Sequence, residues 1–457
     1  MPVNIQHINH IYFLGIGGIG MSALARYFHS HGATVSGYDR TRTTLTQSLE
    51  NEGIPVHYTD DPILIPEQLE LSVYTPAIPS DSRELLYLRT RQIPLLKRSE
   101  VLGMISRTKF CIAVAGSHGK TTTSTLIAHL LHASGTGCLA FLGGISKNYH
   151  TNFIEDTDSE VLVTEADEYD RSFLQLTPSI AIVTSVDPDH LDIYGSLDSL
   201  KSTFVEFIHQ LRPGGILLVK EGLHLPYHLP EGTKVFTYGF NETADFYPLE
   251  IRLEGGIYHF RLMTPEGVTG EFTLKVPGYI NVENACAALA VCLLRGIPST
   301  VLQGLLSGYE GVVRRMDKRF ESIHIVYIDD YAHHPKELQA CIASVRKMYP
   351  GKKVTGIFQP HLFTRTRDLA DEFAECLKEL DQIILLEIYP AREEPLPGIT
   401  SGFLLGKINH PEKTLVQKEE LLGFLGRQHL EILLTLGAGD IDQFVEPIVE
   451  QLRHQIT

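Results

Sequence analysis

The sequence predicts a three-domain α/β protein built on parallel, doubly wound sheets. Two observations carry this. Short apolar runs alternate with longer amphipathic stretches along three successive segments, and two glycine-rich loops each join such a run to a helical stretch. Length agrees, since 457 residues at roughly 150 per domain is about three domains.

The first segment opens with the strand HIYFLGIGG, continues through a helix from about Met21 to His31 closed by Gly32, and re-enters a strand at ATVSGYD. The second starts with KFCIAVAG, runs into a helix from Lys120, and has strands EVLVTEAD and SIAIVTSVD. Between Thr233 and Val276 the runs KVFTYGF, IYHFRLM and GEFTLKV are separated by turn residues and read as an antiparallel meander, followed by the helix VENACAALAVCLLRG. The third segment has strands IHIVYIDD, KVTGIFQP, QIILLEI and EILLTLGAG, with a helix TRDLADEFAECLKEL. The expected domains are 1–107, 108–312 and 313–457.

Composition excludes several classes. With 43% hydrophobic and 21% charged residues the chain is ordinarily globular. No window holds the ~18 apolar residues of a membrane span, and MPVNIQHINH is not a basic stretch leading into an apolar signal core, so a cytoplasmic protein is expected. The six cysteines form no CxxC pair, which fits reduced thiols. A net charge of −16 argues against a nucleic-acid backbone as main partner. Anionic small substrates would need local cations, helix N-termini or a metal.

Gly15, Gly17 and Gly20 match GxGxxG at a strand-to-helix junction, and Asp39 ends the next strand. Glycine permits the tight turn and close backbone approach, and the helix start offers free N–H groups to a diphosphate, so the first domain reads as Rossmann-like. The loop alone does not settle which nucleotide diphosphate binds; an NAD(P)-dependent oxidoreductase is the rival from a different class, though it leaves GSHGKTTT without a role, and a turn-and-packing role for the glycines is the bland alternative.

The loop AGSHGKTTT, Ala115 to Thr123, departs from GxxxxGK[ST] because Val114 stands where that pattern wants glycine. The physics survives. Amides of Gly116, Ser117, His118, Gly119 and Thr122 are candidates to cradle phosphate, Lys120 carries a point charge to it, and the Thr121 hydroxyl is a Mg²⁺ ligand candidate. Mere capping is the alternative. Acids follow the next two strands: Glu165, Asp167 and Glu168, then Asp187, Asp189, His190 and Asp192. Strand ends of open parallel sheets converge, so these groups are expected near Lys120 as a site for phosphate and Mg²⁺, with solvated loop charges as the bland alternative.

GSHGKTTT, TEADEYDRSFL and DPDHLD together resemble the Mur ligases, ATP-dependent enzymes that assemble the peptide stem of bacterial peptidoglycan. The runs GIGGIGMSALA, IDDYAHHPKEL and FQPHLFTRTRD narrow the resemblance to the branch that joins L-alanine to UDP-N-acetylmuramate. A ligase that recycles a whole murein tripeptide has the same chemistry and is the rival within the family. The resemblance implies that Gly15, Gly17, Gly18, Gly20, Asp39, Thr75, Pro76 and Ala77 meet the UDP-sugar rather than NAD. It assigns Lys120, Glu165 and His190 to catalysis, with Thr121, Glu165 and His190 as metal ligands. Asn281, Arg314, Arg315 and Asp330 map onto ATP contacts, and Tyr331, His333 and Arg365 onto the alanine site. Two departures stand out: Ile280 replaces a common histidine, and Leu362 replaces a second arginine, leaving Arg367 as a substitute. His333 and His334 have no third partner at metal spacing, which argues against zinc.

Overall fold

The computed structural model describes residues 5–188, 191–391 and 393–456. They pack as two compact units, one of Met1–Ile251, Phe260–Thr273 and Glu283–Glu310, the other of Arg252–His259, Leu274–Val282 and Gly311–Thr457.

Three parallel-type sheets form the frame. The first has strands β1 (His10–Leu14), β2 (Thr34–Tyr38), β3 (Val56–His57), β4 (Leu71–Tyr74) and β5 (Leu95–Lys97) in the order β3-β2-β1-β4-β5. The central strand is buried along most of its length because IYFL is apolar on both faces, as a strand covered by helices requires. Its exit leads through the first glycine loop into the helix Ile19–Ser30, with Gly32 at φ +86° ending it as expected.

The second sheet comprises β6 (Phe110–Ala115), β7 (Leu139–Phe141), β8 (Phe153–Glu155), β9 (Val161–Ala166), β10 (Ile180–Val183), β11 (Ile216–Lys220) and β12 (Lys234–Tyr238), ordered β12-β11-β10-β6-β9-β7-β8. β6 lies between β9 and β10 and runs parallel to both, Ala115 pairing with Ala166 and with Val183. The Lys120 loop therefore emerges where the chain winds away in both directions. KVFTYGF is not part of the meander: as β12 it extends this sheet, parallel to β11. The meander is β13 (Tyr247–Glu254), β14 (Ile257–Thr264) and β15 (Gly267–Leu274), and its first strand carries too even a mix of polar and apolar residues to announce itself.

The third sheet holds β16 (Asp317–Glu321), β17 (Val326–Asp330), β18 (Val354–Phe358), β19 (Gln382–Leu385), β20 (Lys413–Leu415) and β21 (Ile432–Leu436), ordered β16-β17-β21-β18-β19-β20. β16 is antiparallel to β17; the charged run DKRFE concealed it. The single helix expected over TRDLADEFAECLKEL is two, Phe363–Asp368 and Ala370–Leu377, separated at Leu369 (φ −117°, ψ 20°).

Within the first unit the two sheets share one apolar core, to which Phe13, Phe28, Val101, Phe141, Phe173 and Phe207 all belong. A buried polar knot crosses it. Arg26 donates to both Glu52 oxygens at 2.7 Å and to Asn152 Oδ1, while Asn152 Nδ2 donates to Ile19 O at 2.5 Å and Ser22 Oγ at 3.0 Å. Asn152 is fully buried, and its amide supplies both an acceptor to Arg26 and a donor to the start of the first helix where water cannot reach. Asn152→Ala is expected to destabilise the protein by about 2–3 kcal/mol, the range for leaving a buried donor or acceptor unpaired. Denaturant unfolding checks this, and an unchanged midpoint would show that the knot is dispensable.

Candidate active site

The second glycine loop is shaped by what lies beside it. At Gly116 (φ +137°) a Cβ would fall 2.0 Å from Thr184 Oγ1, and Gly119 (φ +85°) occupies the left-handed region at the helix start. Thr184 Oγ1 donates to Ala115 O at 3.1 Å and to His118 O at 2.5 Å, clamping the loop to the end of β10. Ser117 N–H goes to Ser185 O (3.1 Å) and His118 N–H to Ser185 Oγ (2.9 Å). Two of the loop's amides are thus committed to the loop's own shape. Those of the first turn of the helix Lys120–Ala133 have no intrahelical acceptor, the feature that makes a helix start suited to an anion.

Lys120 Nζ donates to Gly116 O at 2.6 Å and to both oxygens of Glu168, at 2.7 and 3.0 Å. The lysine side chain is 15% exposed and the glutamate 1%. Burial acts to lower the Lys120 pKa, but Glu168, Asp167 and Glu165 outweigh it and hold the ammonium charged. Glu165 sits on the other side, with Oε1 accepting from Gly143 N–H at 2.9 Å. A Cβ on Gly143 would lie 2.2 Å from that oxygen, so only glycine lets the carboxylate settle there. His118 Nε2 stands 3.6 Å from Asp187 Oδ2.

The expected group is largely assembled: Gly116 through Thr122, Glu165, Asp167, Glu168 and Asp187 gather at the ends of β6, β9 and β10. His190 and Asp189 lie outside the described residues, as does the side chain of Asp192. Among the described residues no three His, Cys, Asp or Glu side chains gather as a metal-binding group. Two participants were not anticipated in their roles. Glu168 is the acid that faces the lysine. Asn284 places Oδ1 2.9 Å from where a Gly119 Cβ would be and 3.4 Å from Thr123 Oγ1; its place one turn beyond Asn281 was the available signal.

In the first glycine loop, Gly15 N–H and Ile16 N–H both donate to Tyr38 O, at 2.8 and 3.0 Å. Asp39 accepts from Gly17 N–H at 2.8 Å and Thr41 N–H at 3.1 Å. It braces the loop from within, and its carboxylate is spent on amides rather than held out toward a ribose. Thr75 approaches so closely that a Gly15 Cβ would meet its methyl at 2.7 Å; Pro76 and Ala77 are exposed beside it, and Gly18 N–H closes the turn on Gly15 O. Arg98, unremarked in the sequence, lies over Gly20, its Cδ and Nη1 both 3.0 Å from where a Cβ would stand. Nearby, Tyr74, Lys97, Ser99, Asp170 and Arg171 line a polar cavity of about 330 Å³. Asp170 and Arg171 both hold left-handed φ angles, 52° and 55°, costing on the order of 1–3 kcal/mol each, and Asp170 pairs with Lys97 at 3.1 Å.

In the second unit Asp330, buried, accepts from Met316 N–H (2.6 Å) and Ala332 N–H (2.8 Å); burial pushes its pKa up to about 6 against the pull of Arg315. Arg314 pairs with buried Asp329 at 3.1 Å and donates to Gly437 O at 2.6 Å, and Arg315 lies 4.8 Å over the Tyr331 ring. Tyr331, His333, His361 and Tyr389 follow one another ring against ring, with centroids 5.3, 5.8 and 5.7 Å apart. His361 and Tyr389 were missed as members of this row. Asn281 turns back onto the segment before its own helix, Nδ2 donating to Pro277 O at 2.5 Å. Arg367 is turned onto its neighbour Asp368 at 2.6 Å.

Three family models match the chain in order: the Mur ligase family catalytic domain over residues 10–110, the Mur ligase middle domain over 114–292 and the Mur ligase glutamate ligase domain over 314–421. The chain belongs to the Mur ligase family. The UDP-N-acetylmuramate–L-alanine ligase of Parabacteroides distasonis is 47% identical, with 99% of each chain covered, and that of Porphyromonas gingivalis is 47% identical, covering 98% of this chain and 99% of the relative. Among solved structures, a UDP-N-acetylmuramate–alanine ligase from Thermotoga maritima matches with a TM-score of 0.83 at 28% identity, covering 98% of this chain and 100% of the other. A murein peptide ligase from Psychrobacter arcticus matches in fold, with a TM-score of 0.72 at 19% identity over 97% and 98% of the two chains.

The lysine–glutamate pair in this Mur ligase has a stability signature separate from turnover. Lys120→Ala leaves Glu168 buried without its counter-charge and is expected to cost about 3–5 kcal/mol. The double variant Lys120→Ala/Glu168→Gln is expected to regain most of that loss while staying inactive. With its partner gone, Glu168 titrates above its unfolded value, so the penalty is small below that value and grows as pH rises through it. Thermal melts of both variants at pH 5 and pH 7.5 check the sign; equal destabilisation of the single and double variants would refute it.

Proposed function

We propose that this Mur ligase joins L-alanine to the carboxylate of UDP-N-acetylmuramate at the expense of ATP, giving UDP-N-acetylmuramoyl-L-alanine, ADP and phosphate. The carrying observation is the charged, glycine-cradled pocket around Lys120 in a chain that matches alanine-adding ligases along its whole length. In this reading residues 1–107 hold the UDP-sugar, 108–312 the ATP and 313–457 the amino acid. No helix among the described residues is long and apolar enough to cross a membrane, and a cytoplasmic site of action fits substrates of this kind.

A carboxylate does not acylate an amine at neutral pH because oxide would have to leave. Transfer of the γ-phosphoryl group onto a carboxylate oxygen, with ADP departing, replaces oxide by phosphate as leaving group. The alanine amine then attacks the acyl carbon, the tetrahedral intermediate collapses, and phosphate and the amine's proton are released. The chain's contribution is position and charge. The first-turn amides and Lys120 hold the β- and γ-phosphates, Lys120 leaving Glu168 to do so. Asn281, Arg314, Arg315 and Asp330 are assigned to the nucleotide, with the Asp330 oxygens already shared with backbone amides. Tyr331, His333 and Arg365 are assigned to alanine, Arg365 pairing with its carboxylate.

Mg²⁺ fits the donor set. Three carboxylates, Glu165, Asp167 and Glu168, surround one ammonium, so the pocket is net negative before a polyphosphate enters and needs a further cation. Glu165 and the Thr121 hydroxyl are hard oxygen donors of the kind Mg²⁺ takes, with His190 assigned as a third ligand. Bound there, the ion supplies positive charge to phosphate oxygens.

The deciding experiment is phosphate release with ATP, UDP-N-acetylmuramate and a panel of amino acids. Release that requires both the UDP-sugar and L-alanine is expected, and release with neither or with a tripeptide alone would overturn the reading. Within it, Arg98 over Gly20 is the cation beside the first loop, where Asp39 already adds a negative charge. Arg98→Ala is expected to raise the KM for UDP-N-acetylmuramate by 10-fold or more while leaving that for ATP unchanged, as loss of one charged phosphate contact of about 1.5–3 kcal/mol implies. Equal effects on both substrates would refute the division between the loops.

A further inference from the structure

The segment that carries Arg365 is held in an unfavourable backbone conformation by a turn lying well beyond it in the chain. Leu362 has φ +71° and ψ 137°, left-handed for a γ-branched residue with no glycine to ease it. It is the residue from which the short helix Phe363–Asp368 starts. The turn that restrains it begins at Tyr389. Tyr389 N–H donates to Pro360 O at 2.8 Å and Leu362 N–H to Tyr389 O at 3.0 Å, so His361 is pinned from both sides, and the His361 and Tyr389 rings stack with centroids 5.7 Å apart. The turn closes through Glu393 N–H on Pro390 O at 2.9 Å.

Glu393 then reaches back. Its Oε2 accepts from Thr364 N–H at 3.0 Å and its Oε1 from the Thr364 hydroxyl in a short bond. Thr364 N–H is an amide of the first turn, without an acceptor inside its own helix, so the carboxylate supplies the missing partner and its charge suits that end. On the far side of the same turn, Thr366 N–H and Oγ1 both return to Leu362 O, at 3.1 and 2.7 Å. Arg365 lies between these two threonines. Its backbone therefore sits on a turn of helix that Glu393 anchors at one side and strained Leu362 at the other.

We infer that Glu393 is a positioning residue of the amino-acid site, aiming Arg365 by tying Thr364 to the Tyr389–Glu393 turn. The inference rests on the assignment of Arg365 to the alanine carboxylate. In this reading Glu393 acts through Arg365 and not by contact with alanine.

Steady-state kinetics of the full-length enzyme with ATP and UDP-N-acetylmuramate saturating test it, using Arg365→Ala, Glu393→Ala, Glu393→Gln, Thr364→Val and the double variant Arg365→Ala/Glu393→Ala. Arg365→Ala and Glu393→Ala are each expected to raise the KM for L-alanine at least 10-fold, with the KM for ATP unchanged. Glu393→Gln, which keeps one acceptor oxygen, and Thr364→Val, which loses only the hydroxyl bond, fall between wild type and Glu393→Ala. Because Glu393 acts through Arg365, the double variant is no worse than Arg365→Ala alone, an outcome that general loosening of the fold does not produce. An unchanged alanine KM in Arg365→Ala overturns the Arg365 assignment and the inference with it. A raised KM in Arg365→Ala beside an unchanged one in Glu393→Ala, or a double variant showing the product of the two single effects, overturns the inference alone.

Discussion

A lysine ammonium is kept beneath the surface at the mouth of a glycine loop only because Glu168 faces it with both carboxylate oxygens. Removing either charge from water is costly, and the cost is met by close pairing and by the bond from Lys120 to Gly116 O. The pairing in turn requires that β6 and β9 run side by side in parallel, so that the loop after one meets the acids after the other. Gly116, pressed against Thr184, draws β10 into the same arrangement from the opposite side. The central position of β6 in the sheet order is thus what brings the amides of a glycine loop, a lysine and carboxylates to one place.

The parts of this arrangement that depend on short-range pattern were readable from the chain. Apolar runs marked β1, β6, β9, β10, β17, β18 and β21, and a glycine loop after β1 and β6 or an acid cluster after β9 and β10 marked candidate functional ends. The tertiary choices were not readable. Glu165, Asp167 and Glu168 stand within four residues, and which of them faces Lys120 depends on the pleat at the end of β9 and on the backbone that follows it. Arg98 is far in sequence from Gly20 and meets it only because two helices of the first domain lie together. KVFTYGF has the alternation of a meander strand, and its place beside β11 follows from pairing rather than composition. DKRFE hid a strand altogether because an edge strand tolerates charge on its open side. Asp39 follows the strand beside the first loop and holds the Gly17 amide, a contact that spacing does not contain.

The two glycine loops solve the same steric problem with opposite charge strategies. Each uses glycine where a side chain would collide with a neighbouring strand end: Gly15 with Thr75, Gly116 with Thr184. Each spends some of its amides on holding its own shape, to Tyr38 and Asp39 in the first and to Ser185 in the second. The first loop has no cation of its own and borrows Arg98 from another helix. The second carries Lys120 within it.

That difference matches what the proposed reaction asks of each. The diphosphate of a sugar nucleotide passes through the reaction unchanged, and a planar, always charged guanidinium braced against a helix start is a fixed contact suited to a fixed ligand. The γ-phosphoryl group moves, and the charge on it grows toward the leaving and accepting oxygens as it does so. A lysine on a flexible stem, parked on Glu168 until polyphosphate arrives, supplies a charge that travels with that need. Glu168 cannot follow it. Once Lys120 turns to the phosphates, a buried carboxylate is left beside Glu165 and Asp167, and the pocket becomes a site where three acids and a polyphosphate share one ammonium. A cation that arrives with the nucleotide offsets that excess, which is the physical reason for expecting ATP to enter this pocket together with its metal.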